Sequence, residues 1–211
     1  RKINFVAIND LTDTKTLAHL LKYDTVHGKL SDNIGFSDNM LQIGRTKIPV
    51  FAEKDPLNLP WKKLKVDVVV EATGHFTNPY KAAAHLKAGT KKVLISAPCK
   101  CEGDQTCPTN TTTIVLGVNH KLYDKKKHHI VSNASCTTNS IAPVAAVLHS
   151  AFGIKKATMT TIHSYTADQR LVDAPHKDLR RARAAAQNIV PTTTGAAVAT
   201  TKTIPELTGL F

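Results

Sequence analysis

The chain has 211 residues and is 42% hydrophobic, enough to bury the core of one large domain or two small ones, which excludes a disordered protein. Lysine and arginine number 28 against 16 acidic residues, and the resulting charge of +12 points to acidic partners, either nucleic acid or phosphorylated small molecules. No run of about 18 apolar residues occurs, so no membrane-spanning helix is expected.

Residues 3–8, INFVAI, read as a buried strand that ends at Asn9 and Asp10. Residues 13–24 read as a helix with Leu17, Leu20 and Leu21 on one face. Residues 66–74, VDVVVEATG, read as a strand apolar on both faces, the pattern of a buried parallel strand. A helix over 78–89 has Pro79 near its start and Gly89 at its end. Three further strands are predicted at 92–96, 113–118 and 129–133. A second helix begins near Cys136 and runs to about Phe152, with Ile141, Val144, Ala145, Leu148 and Phe152 at helical spacing. Residues 156–163, KATMTTIH, alternate like a strand and end on a histidine; residues 164–190 are a polar, basic excursion. Strands alternating with helices indicate βαβ units and a mainly parallel sheet, hence the α/β class. A domain boundary is expected near residue 135, giving regions 1–135 and 136–211.

The basic residues fall in short groups: Lys62, Lys63 and Lys65; Lys91 and Lys92; Lys125 to Lys127; Arg180, Arg181 and Arg183. No aromatic residues are interleaved to stack on bases, so a solvated surface and a phosphate-bearing ligand are favoured over specific nucleic-acid binding. The opening residues lack a signal-peptide pattern. Four cysteines without an export signal indicate reduced thiols and a cytoplasmic location. Cys99, Cys101 and Cys107 share the stretch 99–113, but their spacing fits no common zinc pattern, and a surface loop without a metal is expected.

Asp10 follows a strand, where a dinucleotide-binding unit places its ribose-binding carboxylate; a turn or capping role fits the same residue. No G-x-G-x-x-G occurs in the chain, so if Asp10 has the ribose role the glycine turn is expected upstream of residue 1.

Cys136 sits in SNASCTTNS at the start of a helix. Unsatisfied N–H groups and the helix dipole both favour a thiolate there. His163, 27 residues later, is the candidate base. A lone cysteine by itself favours a capping or packing role, but Thr137, Thr138 and Asn139 in the first turn suit an anion.

SNASCTTN followed by TTIHSYT, with VAINDLTDTKTLAHLLKYDTVHGK, EATGHF, GVNHKLYD, RRARAAAQNIVPTTTGAA and IPEL, resembles phosphorylating glyceraldehyde-3-phosphate dehydrogenase of bacterial type. The resemblance covers nearly the whole chain and implies most of a Rossmann-type parallel-sheet domain, followed by the start of an α+β catalytic domain, incomplete at both ends. It implies that Cys136 is the nucleophile and His163 the base. Ser135, Thr137, Thr194 and Gly195 match the site for attacking inorganic phosphate, and Thr166 matches a contact to the substrate's own phosphate. Asp10, Lys54 and Ser96 match contacts to the cofactor NAD. Ala174 stands before Pro175 where common NAD-using bacterial forms carry leucine.

The implied activity is the glycolytic oxidation and phosphorylation of glyceraldehyde 3-phosphate to 1,3-bisphosphoglycerate through a cysteine thioester, in a homotetramer. The rival readings are an erythrose-4-phosphate dehydrogenase and a basic, non-catalytic nucleic-acid-binding fragment. The 211 residues alone are expected to be inactive, because the resemblance places the central strand of the sheet upstream of residue 1.

Overall fold

A computed structural model describes residues 3–101 and 106–211. The structure is of the mixed α/β type and divides into two compact units, the first made of residues 1–95, 100–111 and 129–131, the second of 96–99, 112–128 and 132–211.

In the first unit, β1 (Ile8–Asn9) leads into α1 (Thr14–Lys22), and the Asp13 side chain caps this helix by accepting from the Thr16 N–H at 2.9 Å. A hairpin of β2 (Tyr23–Asp24) and β3 (Gly28–Lys29) follows. An antiparallel meander comes next, built from β4 (Ile34–Ser37), β5 (Met40–Ile43) and β6 (Thr46–Phe51). β6 runs parallel to β1, giving the sheet order β1-β6-β5-β4. Ala18 of α1 packs there on Leu41 and Val50, with Ile8, Leu17 and Ile34 around them. The strand expected over 3–8 is shorter than predicted. Pairing with β6 begins at Ile8, so the preceding residues lie off the ladder and Ile3 and Phe5 are exposed.

A short helix, α2 (Trp61–Leu64), precedes β7 (Val68–Glu71); α3 (Pro79–Lys87) then connects β7 to the parallel strand β8 (Lys92–Ile95). Asn78 caps α3 by accepting from the Tyr80 N–H at 2.9 Å, and Pro79 fills the first helical position, where a missing N–H costs nothing. Two further strands, β9 (Thr111–Thr113) and β10 (Ile130–Ser132), complete a second sheet in the order β7-β8-β10-β9. β7 is not buried on both faces as its sequence suggested. Val69 packs against the cluster of Leu59, Trp61 and Val66, whereas Val68 and Val70 are 51% and 60% exposed on the opposite side of the pleat.

A buried polar chain ties this region together. The Trp61 indole N–H donates to His85 Nδ1 at 3.1 Å, and His85 Nε2 lies 3.0 Å from Glu71 Oε2. Nδ1 therefore accepts, and Nε2–H donates to the carboxylate. Glu71 Oε1 accepts from both the backbone N–H (2.8 Å) and the hydroxyl of Thr73, which fixes the turn after β7. Burial pushes the Glu71 carboxyl up, but the bonds from His85 and Thr73 outweigh it and hold the group below the usual carboxylate range. Because the folded pKa is depressed, the stabilisation is present above the ordinary value and is lost as pH falls through the folded one. Glu71→Gln is expected to destabilise the protein by about 1.5–3 kcal/mol, the scale for hydrogen bonds to a charged group, and to flatten the acid limb of stability measured by urea denaturation.

Gly89 closes α3 with φ +112°, and a Cβ placed there would lie 2.8 Å from the Lys62 backbone. Gly89→Ala is therefore expected to cost more than about 1 kcal/mol in the same assay.

In the second unit, the long helix α4 (Cys136–Phe152) and α5 (Ala196–Thr203) surround a core of Val115, Ala134, Ala142, Ala145, Ile204 and Leu207. Thr138, Ala142 and Ala145 of α4 are buried, while Val144, Val147, Leu148 and Phe152 remain exposed. Two predicted strands are corrected here. Over 113–118 the ladder ends early, because the Asn119 side chain accepts from the Val115 N–H (2.8 Å) and donates to the Thr113 carbonyl (2.9 Å), bending the chain into a turn. Residues 156–163 form no strand, since alternation makes one only where a neighbour supplies a ladder, and none pairs with them among the described residues. Residues 164–190 are a polar excursion of turns held by ion pairs, including Arg181–Asp168 at 2.9 Å and Arg183–Asp173 at 3.0 Å.

The cysteines also depart from expectation. Cys101 and Cys107 are joined in a disulfide rather than being reduced thiols, their Cα atoms 5.6 Å apart and so within bridging reach. Cys99 and Cys136 are free.

Candidate active site

The cleft that holds Cys136 lies wholly in the second unit and measures about 420 Å³. Cys136, Thr137, Ser140 and Ile141 of α4 line one part of it, and the extended segment 159–164 lines the rest. The local fold places the thiol at the first position of α4. The buried Ser132 hydroxyl accepts from the Ala134 N–H at 3.1 Å and donates to the Ala97 carbonyl at 2.8 Å. Ala134 turns the chain through the left-handed region at φ 57°. Ser135 then caps the helix, its hydroxyl accepting from the Thr138 N–H at 3.0 Å. Asn139 braces the turn from behind, its side-chain NH₂ donating to the carbonyls of Asn133 (2.7 Å) and Ser135 (2.9 Å).

Cys136 Sγ lies 3.3 Å from His163 Nε2. The other ring nitrogen, Nδ1, lies 2.6 Å from the Ser164 carbonyl, which can only accept, so Nδ1 carries a proton and Nε2 faces the sulfur. The bond to His163 lowers the Cys136 thiol against the opposing effect of desolvation, and the Thr137 hydroxyl and N–H lower it further. The Ser164 carbonyl and then the Cys136 sulfur raise the imidazole. Both shifts favour the same state, a thiolate beside an imidazolium.

Residues 1–79 match the family described as glyceraldehyde 3-phosphate dehydrogenase, NAD binding domain, and residues 135–211 match glyceraldehyde 3-phosphate dehydrogenase, C-terminal domain. The chain is 58% identical to the glyceraldehyde-3-phosphate dehydrogenase of Geobacillus stearothermophilus, over 98% of this chain and 59% of the relative. It belongs to the glyceraldehyde-3-phosphate dehydrogenase family. Similar relatives include glyceraldehyde-3-phosphate dehydrogenase 1 of Bacillus cereus, 55% identical over 99% of this chain and 60% of the relative. The enzyme of Thermotoga maritima is 58% identical over 93% of this chain and 56% of its own length. The chain thus spans about 59% of the length of such relatives.

With the family in hand, the other candidate residues can be located. Thr194 and Gly195 precede α5, where the Thr194 hydroxyl accepts from the Ala196 N–H at 3.2 Å. Thr137 borders the cleft beside the thiol. The Ser135 hydroxyl is engaged as the α4 cap and in a 2.7 Å bond with the Thr138 hydroxyl. Thr166 is exposed, its N–H bonded to the Gln169 side chain at 3.1 Å. In the first unit, Asp10 follows β1, its amide donating to the Phe51 carbonyl at 2.9 Å and its carboxylate accepting from the Thr12 N–H at 2.8 Å. Lys54 is exposed shortly after β6, and Ser96, in the second unit, is exposed just after β8.

Sequence reasoning missed Arg181, whose guanidinium bridges Asp168 (2.9 Å) and the Thr192 hydroxyl (3.1 Å) and so ties the basic excursion to the threonine segment before α5. It also missed the bracing role of Asn139. The asparagine in the first helical turn was a visible signal, but its partners are carbonyls that only the turn at Ala134 presents.

Proposed function

We propose that this chain contributes the nucleophile and base of an NAD-dependent, phosphorylating glyceraldehyde-3-phosphate dehydrogenase. The observation that carries the reading is the 3.3 Å contact between the Cys136 thiol, at a helix N-terminus, and His163 Nε2 beside a cleft of substrate size. The Cys136 thiolate adds to the aldehyde carbon, and the carbonyl electron pair moves onto oxygen. The imidazolium Nε2–H of His163 stabilises that oxyanion and passes it the proton, which gives the thiohemiacetal hydroxyl and a neutral imidazole; the imidazole then takes the same proton back as the carbon is oxidised. NAD would supply the acceptor for the hydride of that same carbon. An oxygen of inorganic phosphate attacks the resulting thioester, and Cys136 departs as a thiolate, releasing the acyl phosphate.

In this reading Thr137, Thr194, Gly195 and Ser135, the last through backbone groups while its hydroxyl caps α4, surround the attacking phosphate, and Thr166 contacts the substrate's phosphate. The carboxylate of Asp10, at the C-terminal end of a parallel strand, suits the diol of an adenosine ribose, with Lys54 and Ser96 as further contacts. Residues 1–135 then form the nucleotide-binding region and 136–211 the start of the catalytic region.

The proposed partners are glyceraldehyde 3-phosphate, inorganic phosphate and further copies of the chain in a tetramer, in the cytoplasm. Among the described residues no helix is long and apolar enough to cross a membrane. The test is an assay of the full-length polypeptide with glyceraldehyde 3-phosphate and with erythrose 4-phosphate, each with and without inorganic phosphate. Phosphate-dependent turnover that prefers glyceraldehyde 3-phosphate supports the reading. Preference for erythrose 4-phosphate, or oxidation indifferent to phosphate, overturns it.

A further inference from the structure

The stretch after β8 carries a feature that the active-site chemistry does not use. We propose that Cys101 and Cys107 form a reversible dithiol–disulfide site, a redox clasp that holds Lys100 and Thr106 to the entrance of α3 and exchanges with thiol and dithiol reductants. This proposal is independent of the function assigned to Cys136.

Both cysteines sit beside an anchoring hydrogen bond. The Lys100 amide, next to Cys101, donates to the Thr77 carbonyl at 3.2 Å. The Tyr80 hydroxyl donates to the carbonyl of Thr106, next to Cys107, at 3.1 Å. Thr77 and Tyr80 flank Asn78 and Pro79 at the start of α3, so the bridge joins two strands of chain that already grip the same helix end. The entrance to α3 follows the C-terminal end of β7, the side of a parallel sheet where ligands bind in open α/β folds.

Three observations make the pair reversible rather than a sealed structural bridge. Cys107 is exposed, so a thiolate in solution can reach its sulfur. The cysteines are six residues apart, and closure of so short a loop carries a small entropic cost, so the reduced pair re-forms readily. Cys99 is half-buried, and burial pushes its thiol up, so it stays protonated and is a poor competitor for exchange within the CKC sequence.

The exchange balances with a dithiol reductant. Its thiolate attacks Cys107 Sγ, the bridge breaks, and Cys101 leaves as a thiolate that takes up a proton. The reductant's second thiol then attacks its own sulfur in the mixed disulfide. Cys107 is released as a thiol, and the reductant becomes a cyclic disulfide. Two electrons and two protons pass to the protein.

The test equilibrates the full chain in buffers running from reduced to oxidised dithiothreitol. Each sample is quenched in acid, alkylated under denaturing conditions and mapped by mass spectrometry. Cys101 and Cys107 should pass together from alkylated to protected in one two-electron transition, with Cys99 and Cys136 alkylated throughout. Hydrogen exchange at the Lys100 amide should quicken at least tenfold on reduction. In the Cys101→Ser/Cys107→Ser variant it should be fast in both buffers. Alkylation of Cys101 and Cys107 at the oxidised limit overturns the site. So does pairing of either with Cys99 or Cys136. Lys100 exchange that ignores the redox state overturns the clasp.

Discussion

One equivalent of iodoacetamide at neutral pH is expected to alkylate Cys136 before any other cysteine. The Cys136 thiol is lowered by His163 and by Thr137, whereas burial raises Cys99, and Cys101 and Cys107 share a bond. The rate of alkylation should therefore rise with pH through a midpoint below the usual thiol value of about 8.5. The direction follows from the pair: a thiol with a lowered pKa is already ionised where an ordinary one is protonated. Removing the imidazole in His163→Ala should move that midpoint up toward the ordinary value. Mapping the adduct by mass spectrometry checks the first claim, and a stopped-time pH series checks the second. First labelling at Cys99, or a midpoint indifferent to His163, would remove the ion pair from the site.

Under the proposed function, His163→Ala in the full-length polypeptide is expected to lower the turnover of glyceraldehyde 3-phosphate by roughly a hundredfold or more, the usual contribution of a positioned general base. Its fold and NAD affinity should stay unchanged, because the side chain is exposed and bonds only to the Cys136 sulfur and the neighbouring Ser164 carbonyl among the contacts described. The loss should be greatest below the thiol midpoint of the variant, where the nucleophile has become protonated, and should narrow above it. Steady-state kinetics from pH 6 to 9, with calorimetric titration of NAD, separates these effects. A near-normal rate across that range would show that another group serves as base.

The clasp at Cys101 and Cys107 and the buried chain of Trp61, His85 and Glu71 converge on one region from different sides. Glu71 holds Thr73, at the start of the turn after β7, while the clasp holds Thr77 and Tyr80, at its end. The turn that leads from β7 to α3 is thereby fixed at both ends, one by a buried carboxylate and one by hydrogen bonds of the residues next to the bridged cysteines. The two supports differ in what releases them: acid for the first, thiols for the second.

Local chemistry was legible in the residues themselves. A helix start depends on a few adjacent groups, so Pro79 and Gly89 mark the limits of α3, and a thiol among hydroxyls marks the start of α4. The pairing of Cys136 with His163 was also readable, because a thiol at a helix start and a histidine 27 residues later are residue types suited to form an ion pair. The α/β class followed from periodicity, which reflects the backbone repeat and the burial of one face or two.

Tertiary structure decided what depends on partners distant in sequence. Strand formation needs a ladder, so the alternating residues 156–160 form no strand, while 34–51, for which no strands were predicted, fold into a meander because their segments pair with one another and then with β1. Burial needs a covering neighbour, so Val68 and Val70 are apolar yet exposed. The choice of bond also lies with the fold. The Ser135 hydroxyl can hold an anion or cap a helix, and a cysteine can be a free thiol or half of a bridge; the three-dimensional neighbours at Thr138 and Cys107 select between them. Residue type therefore determined which chemistry is available in this chain, and the geometry of non-local contacts determined which of those chemistries each side chain performs, because hydrogen bonds, ladders and disulfides all form only within a few ångströms.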